Sequence, residues 1–280
     1  MSLEVEIPPI SLALAQEIAN HFGQVPMVEA VVLAGSTTAG TADSHSDLDL
    51  YVYYRAEVPI SFRTAFIAPR ARQTEINNQF WETEDAWIET ASGTKVEIMY
   101  RDLRWTQEHL HGLLQHHRAS TGYTTCIWHN IATSHILVDG EGWFRALQES
   151  ANQPYPDGLV RAIIAKNHPL LRGAMSSYLH QMERALQLDD LASLSHRTAA
   201  FLASYFDIVF AVNHVLHPGE KRMLKLAEQK CAKLPAGMRD DVTELLHTAA
   251  KLDGGILEIT GRLIDSLEAL LMQEDLLPLQ

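Results

Sequence analysis

The sequence predicts an α+β chain, with a small mixed sheet flanked by helices in its first half and an all-helical bundle in its second. Three observations carry that expectation. Short runs rich in β-branched and aromatic residues, at 28–34, 47–54 and 95–101, alternate with helical patterns up to about residue 150. The stretch SANQPYPDG, residues 150–158, then collects the Pro, Gly and Asn of a linker. Beyond it no strand pattern occurs. The expected domains are therefore 1–152 and 153–280.

In chain order, SLALAQEIANHFG at 11–23 spaces its apolar residues as a helix does and meets a Gly where a helix would stop. VEAVVLA at 28–34 and DLDLYVYY at 47–54 read as strands, and a helix is expected near 60–67. DAWIET, the turn residues SGT and KVEIMYR at 95–101 read as a β-hairpin. A helix over 102–117 follows, and ILVDGEGW at 136–143 supplies one more strand and turn. Residues 159–188, 190–216, 219–234, 238–250 and 254–272 read as helices separated by breakers, which makes the second domain a bundle.

The composition is that of a globular protein, with 46% apolar and 20% charged residues. Lys plus Arg number 22 against 35 Asp plus Glu, a net charge of −13. No Lys/Arg run offers the basic face that a phosphate backbone demands, so nucleic acid is disfavoured as a partner, whereas small cations are attracted. No apolar run approaches the ~20 residues needed to span a bilayer. The start MSLEVEIPPISLAL lacks the basic first residues and long apolar core of a signal peptide. Cys126 and Cys231 have neither a disulfide framework nor metal-type spacing, and read as reduced thiols. Together these features point to the cytoplasm and away from any membrane.

The informative stretch is VVLAGSTTAGTADSHSDLDLYVYY, residues 31–54. Side chains alternate along a strand, so Asp47 and Asp49 share one sheet face while Leu48 and Leu50 share the other. Two carboxylates on one face repel unless they are solvated or hold a divalent cation, and Mg²⁺ favours carboxylate oxygens together with substrate phosphates. The Gly35-Ser36 turn that ends the preceding strand offers backbone N–H groups and a hydroxyl to phosphate oxygens. In KVEIMYR, Glu97 has the parity opposite to Val96 and Ile98 and would complete the set, with Glu89 on the facing hairpin arm as the competing third ligand. Two metal ions so held can clamp an attacking oxygen and a transferred phosphate. The alternative is a solvent-facing Asp pair on a plain strand.

GSTTAGTADSHSDLDL resembles the signature of the DNA polymerase β-like nucleotidyltransferase superfamily: Gly-Ser, a small-residue loop with another Gly, then Ser-Asp-x-Asp on the next strand. Gly35, Ser36, Gly40, Ser46, Asp47 and Asp49 stand where that pattern wants them. Ala39 departs from it, since many small bacterial members carry Arg there, and Glu97 stands where Asp is commoner. The likeness covers about residues 28–100, and the helical half is arranged like those of antibiotic nucleotidyltransferases of the kanamycin and lincosamide type. The resemblance implies Mg²⁺-dependent transfer of a nucleoside monophosphate from an NTP, ATP foremost, to a hydroxyl of a small molecule such as an aminoglycoside or lincosamide, with release of pyrophosphate. It implies that Asp47 and Asp49 bind the nucleotide metal, that Gly35 and Ser36 meet the terminal phosphates, and that Glu97 binds the second metal or helps deprotonate the acceptor. Such chemistry is mainly positioning and charge neutralisation. A homodimer is compatible with it.

In the helical half, His217-Pro218-Gly219 breaks one helix, and Glu220, Lys221 and Arg222 open the next. If that turn faces the cleft, Lys221 could hold the triphosphate as a point charge, as a Lys does in the antibiotic enzymes; the alternative is a helix start with solvated charges. Lys166 is a second candidate. EHLHGLLQHHR, residues 108–118, lacks the three or four converging ligands of a zinc site, and His109 and His116 read as surface residues. Trp87 and Trp105 flank the hairpin and read as core or as stacking platforms for a base.

Two further functions compete with small-molecule transfer. Nucleotidylation of a protein partner, antitoxin-like or regulatory, would show as a stable partner on co-purification. Nucleotide binding without turnover would show as a missing third carboxylate, and Glu97 argues against it.

Overall fold

The computed structural model describes residues 9–35 and 47–277, which divide into two compact units. The first comprises the described residues up to Leu110 together with Asn130–Gln153; the second comprises His111–His129 and the described residues from Pro154 onward.

The first unit runs α1 (Pro9–Phe22), β1 (Val28–Leu33), β2 (Leu48–Tyr54), α2 (Ile60–Ile67), β3 (Ala71–Asn78), β4 (Thr83–Glu89), β5 (Lys95–Asp102) and the start of α3 (Leu103–His116). It takes in the end of α4 (Cys126–Thr133), then β6 (His135–Asp139) and α5 (Trp143–Ala151). The six strands form one sheet in the order β3-β4-β5-β2-β1-β6. All neighbours are antiparallel except β2 and β5, so the sheet is mixed, as expected.

One sheet face is the core. Leu48, Leu50 and Val52 of β2, Val96 and Ile98 of β5 and Trp87 of β4 bury there against Ala15, Ile18, Ala19 and Phe22 of α1 and Ile67 of α2. At one end of the other face, Tyr53 packs on Phe144 of α5 with ring centroids 5.0 Å apart. Asn130 donates to the Tyr51 hydroxyl at 3.3 Å beside it. At the opposite end of that face stand the carboxylates.

β3 was not expected. Half of its residues ARQTEINN are exposed, none is fully buried, and they carry little apolar pattern, as befits an edge strand protected by charge. A bulge near its end is fixed by a buried network. Asn77 sits at φ 60°, its N–H donates to Asp85 Oδ1 at 2.7 Å, and the Arg63 guanidinium reaches both Asp85 Oδ1 (2.9 Å) and Asn77 Oδ1 (3.0 Å). The Tyr100 hydroxyl donates to Asp85 Oδ2 at 2.7 Å.

Within the second unit the described elements are all helical: α6 (Asp157–His168), a π-helical turn (Pro169–Gly173), α7 (Tyr178–Gln187), α8 (Leu191–Val212), α9 (Met223–Lys230), α10 (Met238–Ala249) and α11 (Gly255–Gln273). The single helix expected over 159–188 is two: Pro169 removes one N–H from the ladder and the helix runs on as a π-helical turn to Gly173, the chain turns extended at Ala174 (ψ 152°), and Ser177 caps a new start by accepting from His180 N–H. The second half of α8 is enclosed on every side: each residue from Ser204 through Val212 is buried. Its Asp207 accepts from Thr124 N–H at 3.0 Å and Thr124 Oγ1 at 2.7 Å, which ties the 120–125 segment to the helix. Both cysteines are free. Among the described residues no helix is long and apolar enough to cross a membrane.

Candidate active site

β1 ends in the buried Leu33, and Ala34 N–H donates to the Asp49 carbonyl at 2.9 Å, so the turn after β1 starts beside the first residues of β2. Gly35 follows at φ 71°, a left-handed backbone that favours glycine. A β-carbon there would lie 1.8 Å from Asp49 Oδ2 and 2.7 Å from its Cγ. Gly35 therefore serves two needs at once: the turn, and the close approach of the backbone to a carboxylate. Ser36, and with it Ala39, Gly40 and Ser46 of the signature, lies outside the described residues.

Along β2, Leu48 and Leu50 enter the core while Asp49 stays partly exposed on the opposite face, as does Asp47 just before the strand. β5 runs parallel to β2, and the register sets Asp49 directly beside Glu97. Neighbouring strands lie about 4.8 Å apart, so the two carboxylates are adjacent on one face. The expected parity of Glu97 against Val96 and Ile98 thus holds.

A residue that the sequence reasoning passed over stands among them. Lys95 lies two residues before Glu97, on the same face; its ammonium bonds Glu97 Oε1 and reaches Asp47 Oδ2 at 3.4 Å. The bond to Glu97 holds that ammonium above the ordinary lysine range. The i, i+2 spacing of Lys95 and Glu97 in a strand was the available signal.

Glu89, the competing third ligand, is on the wrong face. It is buried with the core side of β4, where its Oε2 accepts from Trp87 Nε1 at 3.1 Å and meets Arg70 Nε at 3.4 Å. Trp87 itself belongs to the core. Trp105 is half-exposed and stacks on His109, with centroids 5.2 Å apart.

The donor set fits a hard divalent cation: carboxylate oxygens on one open face, with a positive charge already drawn between two of them. Among the described residues no three His, Cys, Asp or Glu side chains converge tightly enough to enclose a metal ion.

Lys221 belongs to the helical unit, exposed in the turn before α9. That helix starts at Met223 rather than at Glu220, with Arg222 at φ 61° as its cap. The turn hangs on the fully buried His217, whose N–H donates to Thr125 Oγ1 at 2.8 Å and whose Nδ1 accepts from Gly219 N–H at 3.1 Å. Lys166 is exposed on α6.

The stretch that runs from α1 through β5 into α3, residues 14–112, matches the nucleotidyltransferase domain family. That domain makes the chain an enzyme of the transferase class. Residues 125–223 match a domain of unknown function (DUF4037), a stretch that includes Asp207, His217 and Lys221. Among curated proteins none matches the chain. Of solved structures, a nucleotidyltransferase-like protein from Exiguobacterium sibiricum aligns at TM-score 0.44 and 9% identity, over 94% of this chain and 75% of its own. The Thermotoga maritima CCA-adding enzyme complexed with tRNA aligns at TM-score 0.32 and 14% identity, over 98% and 83%. A CCA-adding enzyme complexed with ATP aligns at TM-score 0.31 and 14% identity, over 96% and 83%. These are distant likenesses.

Proposed function

We propose that the nucleotidyltransferase domain transfers a nucleoside monophosphate from an NTP, ATP foremost, to a hydroxyl of a small molecule, with release of pyrophosphate. The observation that supports this most is the register of Asp49 against Glu97 on one open sheet face, with Gly35 packed against the Asp49 carboxylate.

In this reading Asp47, Asp49 and Glu97 would hold Mg²⁺, whose charge neutralises the phosphates. Gly35 and Ser36 would meet the terminal phosphates. Glu97 takes the proton of the acceptor hydroxyl; the hydroxyl oxygen bonds the α-phosphorus as the bond to the leaving pyrophosphate breaks. Lys221 is proposed as a point charge for the triphosphate. The acidic balance of the chain, −13, favours a cationic acceptor such as an aminoglycoside over an anionic one, with lincosamides as the second class to try.

The test is pyrophosphate release with Mg²⁺ and each of the four NTPs against a panel of aminoglycosides and lincosamides, with product masses read in parallel. A nucleotide-sized mass gain on one acceptor is the expected result. Failure to bind any NTP in the presence of Mg²⁺ overturns the reading.

A further inference from the structure

The sheet face that carries Asp49 and Glu97 continues sideways. Register pairs Glu97 with Ala86 on β4, and Ala86 with Glu75 on β3, so one row crosses four strands as Asp49, Glu97, Ala86, Glu75. Ala86 is the small member, and over it opens a cavity of about 460 Å³ that Glu97 borders. That volume suits a small organic molecule.

The cavity is also lined by Phe80 and Trp81 of the β3–β4 turn, which are 80% and 93% exposed. Leaving two large aromatic side chains in water forgoes roughly 1.5–3 kcal/mol of burial for each. Nor is the turn that carries them loosely held. Phe80 N–H donates to Asn78 Oδ1 at 2.8 Å, and the buried Arg101 guanidinium forks onto both oxygens of Glu82 at 2.7 and 2.8 Å. On the other side stands the Arg63–Asn77–Asp85 network. An aromatic platform fixed at both ends and left bare is built to stack on something.

Charge identifies the occupant. Among the described residues that line the cavity, Glu75, Glu84 and Glu97 face one cation, Lys95, which is already engaged by Glu97 and Asp47. Burial, and then the charge of Glu97, hold the Glu84 carboxyl above its ordinary range, so a positive charge brought into the cavity would be welcome. A triphosphate would meet net repulsion there, whereas an organic cation gains both the carboxylates and the indole face.

We propose that this cavity is the acceptor subsite and takes a small hydroxylated organic cation, its apolar face on Phe80 and Trp81 and its charge towards Glu75 and Glu84. The proposal rests on the reading of Asp49 and Glu97 as the transfer centre. Seated there, the acceptor presents its hydroxyl to Glu97, which receives the proton as the oxygen bonds the α-phosphorus and pyrophosphate leaves.

The test uses three near-isosteric probes on the full chain without nucleotide: 2-amino-1-phenylethanol, the neutral 1-phenylethane-1,2-diol and the anionic mandelate, titrated by calorimetry. The cation should bind saturably and at least about tenfold more tightly than the diol, with mandelate weakest, as a charge-selective site requires. Trp81→Ala and Glu84→Gln should each weaken the cation about fivefold or more without lowering the melting temperature. Equal binding of the three probes, or unchanged cation binding in both variants, overturns the proposal. Mg²⁺-dependent NTP binding, measured on the same protein, judges the transfer centre separately: intact NTP binding with no charge preference removes only the subsite, and absent NTP binding removes the centre beneath it.

Discussion

A β-carbon on Gly35 would come within 1.8 Å of the Asp49 carboxylate. The glycine after β1 and the aspartate of β2, fourteen positions apart in the sequence, are thus one structural unit: the backbone of the turn lies on the side chain that is proposed to hold the metal. Gly35→Ala should therefore fail twice. The left-handed φ alone costs roughly 1–2 kcal/mol for an L-residue, and the methyl must also displace the carboxylate. Expected is loss of turnover together with a lower melting temperature; a variant that turns over normally would show that the turn can yield.

Asp49→Ala should separate function from folding. The carboxylate stands beside Glu97 with a like charge, so its removal relieves that repulsion. Mg²⁺-dependent turnover should vanish while the melting temperature holds or rises slightly. Parallel turnover and melting measurements check both halves, and retained turnover would sink the metal-site reading.

How far this was legible in the sequence follows from where the information resides. The parity of Asp47, Asp49 and Glu97 is local, since alternation along a strand fixes it, and β1, β2 and β5 were therefore readable. The side of the sheet on which Glu89 falls was not, because it depends on the pairing of β4, and that turned Glu89 towards Trp87 and Arg70. β3 escaped notice because ARQTEINN is an exposed edge strand that pairs only with β4 and needs no apolar face. With β3 unseen, the cavity between it and Glu97 could not be foreseen either. Pro169 did advertise the break between α6 and α7, and was read through.

Lys95 makes its own prediction. Its ammonium occupies the space between Asp47 and Glu97 that a divalent cation would take. Lys95→Gln should lower the melting temperature of the metal-free protein, since the carboxylates lose their counter-charge. It should also tighten Mg²⁺ or Mn²⁺ binding several-fold, since a competitor is gone. The half-exposed side chain keeps the stability effect small, within about 1 kcal/mol. Calorimetric metal titration decides it: weaker metal binding would mean that Lys95 holds the carboxylates in place instead of competing for them.

The Arg63–Asp85 pair is buried on both sides, with side-chain exposures of 4% and 0%. Asp85→Ala would leave the guanidinium uncompensated and release Asn77 N–H and the Tyr100 hydroxyl, a change that costs about 3–5 kcal/mol in comparable buried pairs. Chemical denaturation should show that loss. If the β3 bulge shapes the cavity, tightness for the cationic probe should fall with it even where the variant remains folded.

The helical unit should carry a pH dependence of its own. Burial, and next the neighbouring His129, push His217 down to about 3, and burial pushes His129 down to about 4. Both rings titrate near 6.5 in the unfolded chain. A lowered folded pKa means that the unfolded state binds the extra proton, so this stability is fully present above about pH 6.5 and is lost as pH falls, at up to roughly 1.4 kcal/mol per pH unit per group. Asp207 works against it. Burial raises its carboxyl to about 6, so protonation favours the folded state between the ordinary aspartate range and that value. Asp207 and His129 are common to the wild type and to a His217 variant, so the difference between the two proteins below about pH 6.5 isolates the His217 share, and that window is the place to look. There the native ring of His217 accepts from Gly219 N–H, faces Cys126 Sγ at 3.4 Å and packs edge-on against Tyr123 and Phe210, all of which a charged ring would disturb. Denaturant titrations of the wild type and His217→Asn across that window should show a shallower slope in the variant by up to one proton's worth. An identical slope would mean that His217 is already neutral for reasons shared with the unfolded chain.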